Sequence, residues 1–243
     1  MTSIETGSPS CQIGTFVKTP APQIIEILGG AGLDFAVVDA EHAPFDRLTL
    51  DMMIIAARSV GLALFVRIPD KQASTIQSAL DCGATGLLVP HVDSAEQARE
   101  LVARARFIGG ERGYSSSPRF ASYGANGMKQ TIATGDQAVL MCQIESRAAL
   151  ADAAQIAATP GVAGLFVGRA DLALSLGLTD ARAPEVMEAT EQILAIAQRA
   201  GKIPGVATGS VNECTEFAQM GATWFVVGSD QSMLRQGALA LKK

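Results

Sequence analysis

The stretch Gly83-Ala84-Thr85-Gly86-Leu87-Leu88-Val89 decides how the chain is read. It follows a segment of helical patterning and runs glycine, small residues, then an unbroken apolar run. The glycine supplies the left-handed stop of a helix, and a continuous apolar run suits a strand covered on both faces. The phrase returns as Gly32-Leu33-Asp34-Phe35-Ala36-Val37-Val38, as Gly161-Val162-Ala163-Gly164-Leu165-Phe166-Val167 and as Gly221-Ala222-Thr223-Trp224-Phe225-Val226-Val227. Further apolar runs at 11–16, 63–66, 139–144 and 203–206 bring the strands to eight. Helical patterning at 22–28, 48–60, 73–81, 95–105, 148–157, 184–200 and 211–220 separates nearly all of them. Eight β/α alternations without a composition break predict one (β/α)8 TIM barrel over residues 1–243, with 1–10 frayed. A doubly wound open sheet is the alternative; no G-x-G-x-x-G after the first strand weighs against it.

Composition narrows the function. Hydrophobic residues make up 48% of 243 residues, enough for one large core, and the net charge is −5 with no basic block. That balance speaks against a nucleic-acid surface. Cys11, Cys82, Cys142 and Cys214 are scattered, with no C-x-x-C, and read as reduced thiols of a cytoplasmic protein. The first ten residues lack signal-peptide patterning, and no apolar run reaches the roughly 18 residues that a membrane span needs. One segment breaks the rhythm: 107–136 is polar, rich in Gly and Ser, and reads as a lid, binding loop or subunit contact. Residues 231–243 read as a last helix.

Chemistry in such a barrel is done where strands end at their C-terminal side. Glu145 follows the 139–144 run and Asp171 the 164–167 run, so two carboxylates converge on that face. They make a small oxygen site for a hard divalent cation, or alternatively a salt-bridged rim. Gln143 shares the face of Glu145 by the two-residue strand period. His42 lies in Asp39-Ala40-Glu41-His42, where a carboxylate partner would raise its basicity and fix its tautomer. Arg67 closes a buried strand and needs an anion: a substrate oxyanion, or an ion pair with Asp39 or Glu41. His91 lines the pocket or is structural. The segment 170–174 starts a short helix whose free N–H groups could hold a carboxylate. Glycines at 205–209 and 228 carry a weak phosphate-loop signal. Lys18 is the one lysine near a strand's C-terminal end, which disfavours an imine mechanism without excluding it.

Residues 35–44 (FAVVDAEHAP), 66–69 (VRIP), 80–90 (LDCGATGLLVP), 143–146 (QIES) and 167–177 (VGRADLALSLG) resemble the HpcH/HpaI family of metal-dependent class II pyruvate aldolases. The resemblance spans about residues 14–232. It implies cleavage or formation of a 4-hydroxy-2-oxo acid, with pyruvate or a related 2-oxo acid and an aldehyde as the small-molecule partners. By that likeness Glu145 and Asp171 hold Mg²⁺, Mn²⁺ or Co²⁺, and Gln143, Ala170 and Asp171 hold the 2-oxo acid. Arg67 stabilises the enolate oxygen, His42 is the base and Asp81 raises its basicity.

Asp81 falls at the end of a helix, on the far face of its own barrel, and could reach His42 only from another subunit. The resemblance accordingly implies a homo-oligomer, trimer-based or hexameric, with its C-terminal helix exchanged between subunits. Asp39 is the alternative partner of His42. The chain departs from the family's G-P-A-D in having Gly168-Arg169-Ala170-Asp171, and from its usual pattern after Gly110-Glu111-Arg112-Gly113. Two other readings stay open. One is a related condensing or decarboxylating enzyme. The other is a silent oligomeric barrel in which Arg169 neutralises Asp171 or Glu145.

Overall fold

Short runs of β-branched and aromatic residues become eight strands: β1 (Gln12–Val17), β2 (Phe35–Asp39), β3 (Ala63–Arg67), β4 (Gly86–Val89), β5 (Val139–Ile144), β6 (Gly164–Val167), β7 (Ile203–Thr208) and β8 (Trp224–Ser229). In the computed structural model, which describes residues 11–242, each strand pairs in parallel with its sequence neighbours. β8 pairs with β1, so the sheet closes in the order β1 to β8 and the open-sheet alternative falls. The expected fraying of residues 1–10 lies outside the described residues.

The helices are α1 (Pro22–Gly30), α2 (Arg47–Ser59), α3 (Ala73–Cys82), α4 (Ala95–Ala105), α5 (Met128–Gly135), α6 (Arg147–Ala158), α7 (Arg169–Ser175), α8 (Pro184–Arg199), α9 (Val211–Gln219) and α10 (Asp230–Ala240). Three glycine stops behave as read, Gly32, Gly83 and Gly221 having φ of 82°, 102° and 98° at the ends of α1, α3 and α9; α6 instead ends in the extended Thr159, and Gly161 (φ 93°) turns the chain two residues later.

Alternating strand residues build two cores. One set, including Ala36, Val38, Leu64 and Val66, packs outward with helix residues such as Ile54, Ile76 and Ile193. The other set plugs the barrel. Phe35 stacks on Trp224 with ring centroids 4.1 Å apart, while Phe65 and Phe166 meet the same indole edge-on at 5.2 and 5.7 Å. The interior is therefore solid below, and a ligand within the barrel has to sit at its mouth.

The segment 107–136 is more ordered than its composition suggests. It holds a 3-10 turn at Arg119–Gly124 and the short α5, which buries only Thr131 and Gly135 and so shows no apolar stripe. Phe107 stacks on Phe120, and the Arg112 guanidinium lies 4.4 Å from each ring centroid. Its Nη2 is 2.9 Å from Asp81 Oδ1, tying the segment to α3. The last helix starts at Asp230 and buries only that residue, leaving Met233, Leu234 and Leu239 exposed. Among the described residues no helix is long and apolar enough to cross a membrane.

Candidate active site

The two-residue strand period carries the interior face of each strand up to the barrel mouth. Phe35 and Val37 face the interior, so Asp39 does too; Ala63 and Phe65 lead to Arg67, Met141 to Gln143 and then Glu145. Phe16 leads in the same way to Lys18. Asp39 and Arg67 are register partners at the ends of β2 and β3. Arg67 donates from Nε to Asp39 Oδ1 at 2.9 Å and from Nη2 to Oδ2 at 2.7 Å, a bidentate fork. Arg67 Nε also lies 3.3 Å from Glu41 Oε2, so both sequence alternatives for its partner are realised at once.

Asp39 is fully buried. Burial alone would raise its carboxyl, but the Arg67 hydrogen bonds and charge, the His42 N–H at 3.1 Å and the Lys18 ammonium at 3.2 Å outweigh it. The carboxyl is held below its ordinary value. Asp39 thus takes the backbone of His42 and not its ring. The ring's Nε2 lies 3.7 Å from Glu41 Oε2, and the side chain is 55% exposed, open to the mouth.

Glu145 sits just past β5 and is buried, with the Gln143 amide donating to Oε2. The backbone N–H of His91 donates to Oε1 at 2.7 Å, and its Nδ1 lies 3.1 Å from the same oxygen. Burial pushes the Glu145 carboxyl up, and the nearby Asp171 charge adds to this against the His91 and Gln143 contacts. Among the described residues the Gln143 Oε1 is buried without a hydrogen-bond partner. Gly168, at the end of β6, leaves the room these groups occupy: a Cβ there would stand 2.7 Å from Glu145 Oε2 and 2.8 Å from Gln143 Nε2. Asp171 and Ala170 lie in the first turn of α7. The Glu145 and Asp171 carboxylates and the bare amide oxygen of Gln143 form an oxygen donor set that suits a hard divalent cation. Among the described residues no three His, Cys, Asp or Glu side chains close on one point, so such an ion would take its other ligands from water or substrate.

The structure gives three further residues their partners. Arg169 turns away from both acids: Nη2 lies 3.1 Å from Glu213 Oε2, both Nε and Nη2 donate to the Ala207 carbonyl, and the guanidinium covers the Phe217 ring at 4.6 Å. That removes the ion pair on which the silent-barrel reading depended. Asp81 is paired with Arg112 at the C-terminal end of α3, and among the described residues nothing joins it to His42 within one chain. His91, left open in the sequence, bridges Glu145 and Glu41, with Nε2 3.3 Å from Glu41 Oε1. Its φ of 54° after β4 is a local backbone feature that composition does not announce. Strand parity alone would have pointed to Lys18.

A closed parallel barrel with buried acids, an arginine fork and an exposed histidine at the strand ends defines a barrel enzyme working at its C-terminal mouth. The HpcH/HpaI aldolase/citrate lyase family model matches residues 12–237, and the chain belongs to that family of carbon–carbon lyases. It is 38% identical to the 5-keto-4-deoxy-D-glucarate aldolase of Klebsiella pneumoniae over 233 residues, covering 95% of this chain and 90% of the relative. Among solved structures, an HpcH/HpaI aldolase/citrate lyase family protein from Burkholderia cenocepacia superposes with a TM-score of 0.92 at 31% identity, covering 98% of this chain and 95% of the other. Macrophomate synthase superposes with a TM-score of 0.82 at 27% identity, covering 96% and 84%.

Proposed function

We propose that this protein is a divalent-metal-dependent aldolase. It cleaves, or in reverse forms, a 4-hydroxy-2-oxo acid, giving pyruvate or a related 2-oxo acid and an aldehyde. The observation that carries this reading is Glu145: a buried carboxylate just past β5, held by the Gln143 amide, with the amide oxygen of Gln143 bare beside it. Glu145 and Asp171 would hold Mg²⁺, Mn²⁺ or Co²⁺, which when bound supplies Lewis-acid polarisation of the 2-oxo oxygen.

The rest falls to the chain's own groups. Gln143 and the Ala170 backbone orient the 2-oxo acid. Arg67, held rigid by Asp39, places a guanidinium where negative charge develops as the C3–C4 bond breaks. His42, exposed at the mouth, takes the proton of the 4-hydroxyl, directly or through water. Asp81 of the partner subunit would complete His42, which makes the enzyme a homo-oligomer, trimer-based or hexameric. The exposed Met233, Leu234 and Leu239 of α10 favour its exchange between subunits. A cytoplasmic site of action fits the four unpaired cysteines.

Pyruvate release from 4-hydroxy-2-oxo acids by chelator-stripped protein, with and without Mn²⁺ or Mg²⁺, tests this. Metal should restore turnover in wild type and in neither Glu145→Ala nor Asp171→Ala. Turnover indifferent to metal would overturn it.

A further inference from the structure

The mouth holds a second cation that the aldolase reading does not use. Lys18 follows β1 on the interior parity of that strand, and its Nζ lies 3.2 Å from Asp39 Oδ2, the oxygen that Arg67 Nη2 already holds at 2.7 Å. Its backbone is fixed, not loose: the N–H groups of Lys18 and Thr19 donate to the buried Asp230 carboxylate at 2.9 and 3.0 Å. The carboxylate at the start of α10 therefore clamps the β1–α1 turn and aims the lysine into the mouth.

Neutralising Asp39 does not by itself require this lysine. Three N–H groups, two from Arg67 and one from His42, already reach that carboxylate. The ammonium has three donors, and beside the Asp39 contact it lies 6.0 Å from the Phe16 ring, which takes none of them as a hydrogen bond. The side chain is 30% exposed, so it remains accessible at the mouth.

Position selects what those donors would meet. In a barrel closed in sequence order β1 stands opposite β5, so Lys18 faces Glu145 and Gln143 across the mouth, with Arg67 and His42 on the strands between. On the aldolase reading, on which this inference rests, the 2-oxo acid half occupies the β5–β6 side. The far end of the substrate then runs toward β1. We propose that Lys18 is a specificity-determining residue, a cationic subsite for a carboxylate carried on the aldehyde half of the substrate.

The test uses metal-loaded enzyme condensing pyruvate with 4-oxobutanoate or with butanal, four-carbon aldehydes that differ in a carboxylate for a methyl group. Losing a charge-assisted contact should raise the KM for 4-oxobutanoate in Lys18→Met about tenfold or more beyond any change with butanal. Lys18→Arg should restore most of the preference. An equal loss with both aldehydes would assign Lys18 to supporting Asp39, and no loss would assign it nothing; either overturns the subsite. A wild type inert toward both aldehydes would count against the aldolase reading instead. Titration of 4-oxobutanoate and butanal into wild type and Lys18→Met then decides the lysine: a preference for the anion that the variant lacks supports the subsite, and equal affinities remove it.

Discussion

Arg67 and Asp39 stand opposite one another in the β2–β3 register, and the arginine grips the aspartate through both its Nε and Nη2, at 2.9 and 2.7 Å. Both side chains are buried, so each depends on the other for its charge to be tolerated. Truncating one partner of a buried pair leaves an uncompensated charge and costs about 3–5 kcal/mol. Asp39→Ala and Arg67→Met should each lower stability on that scale in urea titrations. The double variant should cost well under the sum of the two, because both charges of the buried fork are removed together.

The same pair sets an acid dependence. The Asp39 carboxyl is lower in the folded chain than its ordinary value of 3.8, since its cationic and N–H partners overcome the cost of burial. A depressed carboxyl contributes stability that is complete above its unfolded value and lost as pH falls through the folded one. Asp39→Asn lacks that contribution. The stability gap between wild type and variant should be steady from about pH 5 to 7 and shrink below about pH 4. A gap that widens on acidification would contradict the assignment.

Gly168 gives a sharper handle on the acidic side of the mouth. Its φ of −90° suits any residue, so Gly168→Ala should fold. The new methyl would meet the head groups of Glu145 and Gln143, at 2.7 and 2.8 Å, and push them apart. Mn²⁺ affinity by calorimetry should fall about tenfold or more while the melting temperature moves only a few degrees. Unchanged affinity would place the cation elsewhere.

Thiol chemistry should report the packing directly. Cys82, Cys142 and Cys214 are buried and Cys11 is exposed. Burial pushes the Cys142 thiol up to about 12, far from the thiolate form at neutral pH. Native protein at pH 8 should release about one equivalent of aromatic thiolate from a disulfide reagent, and the denatured chain its full four. Rapid modification of Cys142 in the native state would mean that the β5 wall opens.

The barrel was legible because its signal is local and repeated. Each strand is a short run that must be apolar on both faces, and a glycine stop follows closely on a helix end in each repeat of the phrase. Strand parity then placed Gln143 with Glu145, and would have placed Asp39, Arg67 and Lys18 together had it been applied to every strand. The closed order and the β2–β3 register are long-range properties. They alone turned two neutral alternatives for Arg67 into a shared grip on Asp39 and Glu41.

Other features left no trace in the sequence. The direction of Arg169 is set by Glu213 and Phe217, more than forty positions away along the chain, so its neighbour Asp171 was a misleading guide. The helix α5 has no apolar stripe because it rests on its own segment and buries only two small residues, Thr131 and Gly135. The bridge from His91 to Glu145 and Glu41 depends on a left-handed residue after β4. By itself, then, the sequence determined the barrel, its family likeness and which strand ends bear acids, because periodicity and local stops suffice for these. Only the tertiary structure decided which charges meet, since a side chain's partner is fixed by strand register and packing between residues distant in the chain.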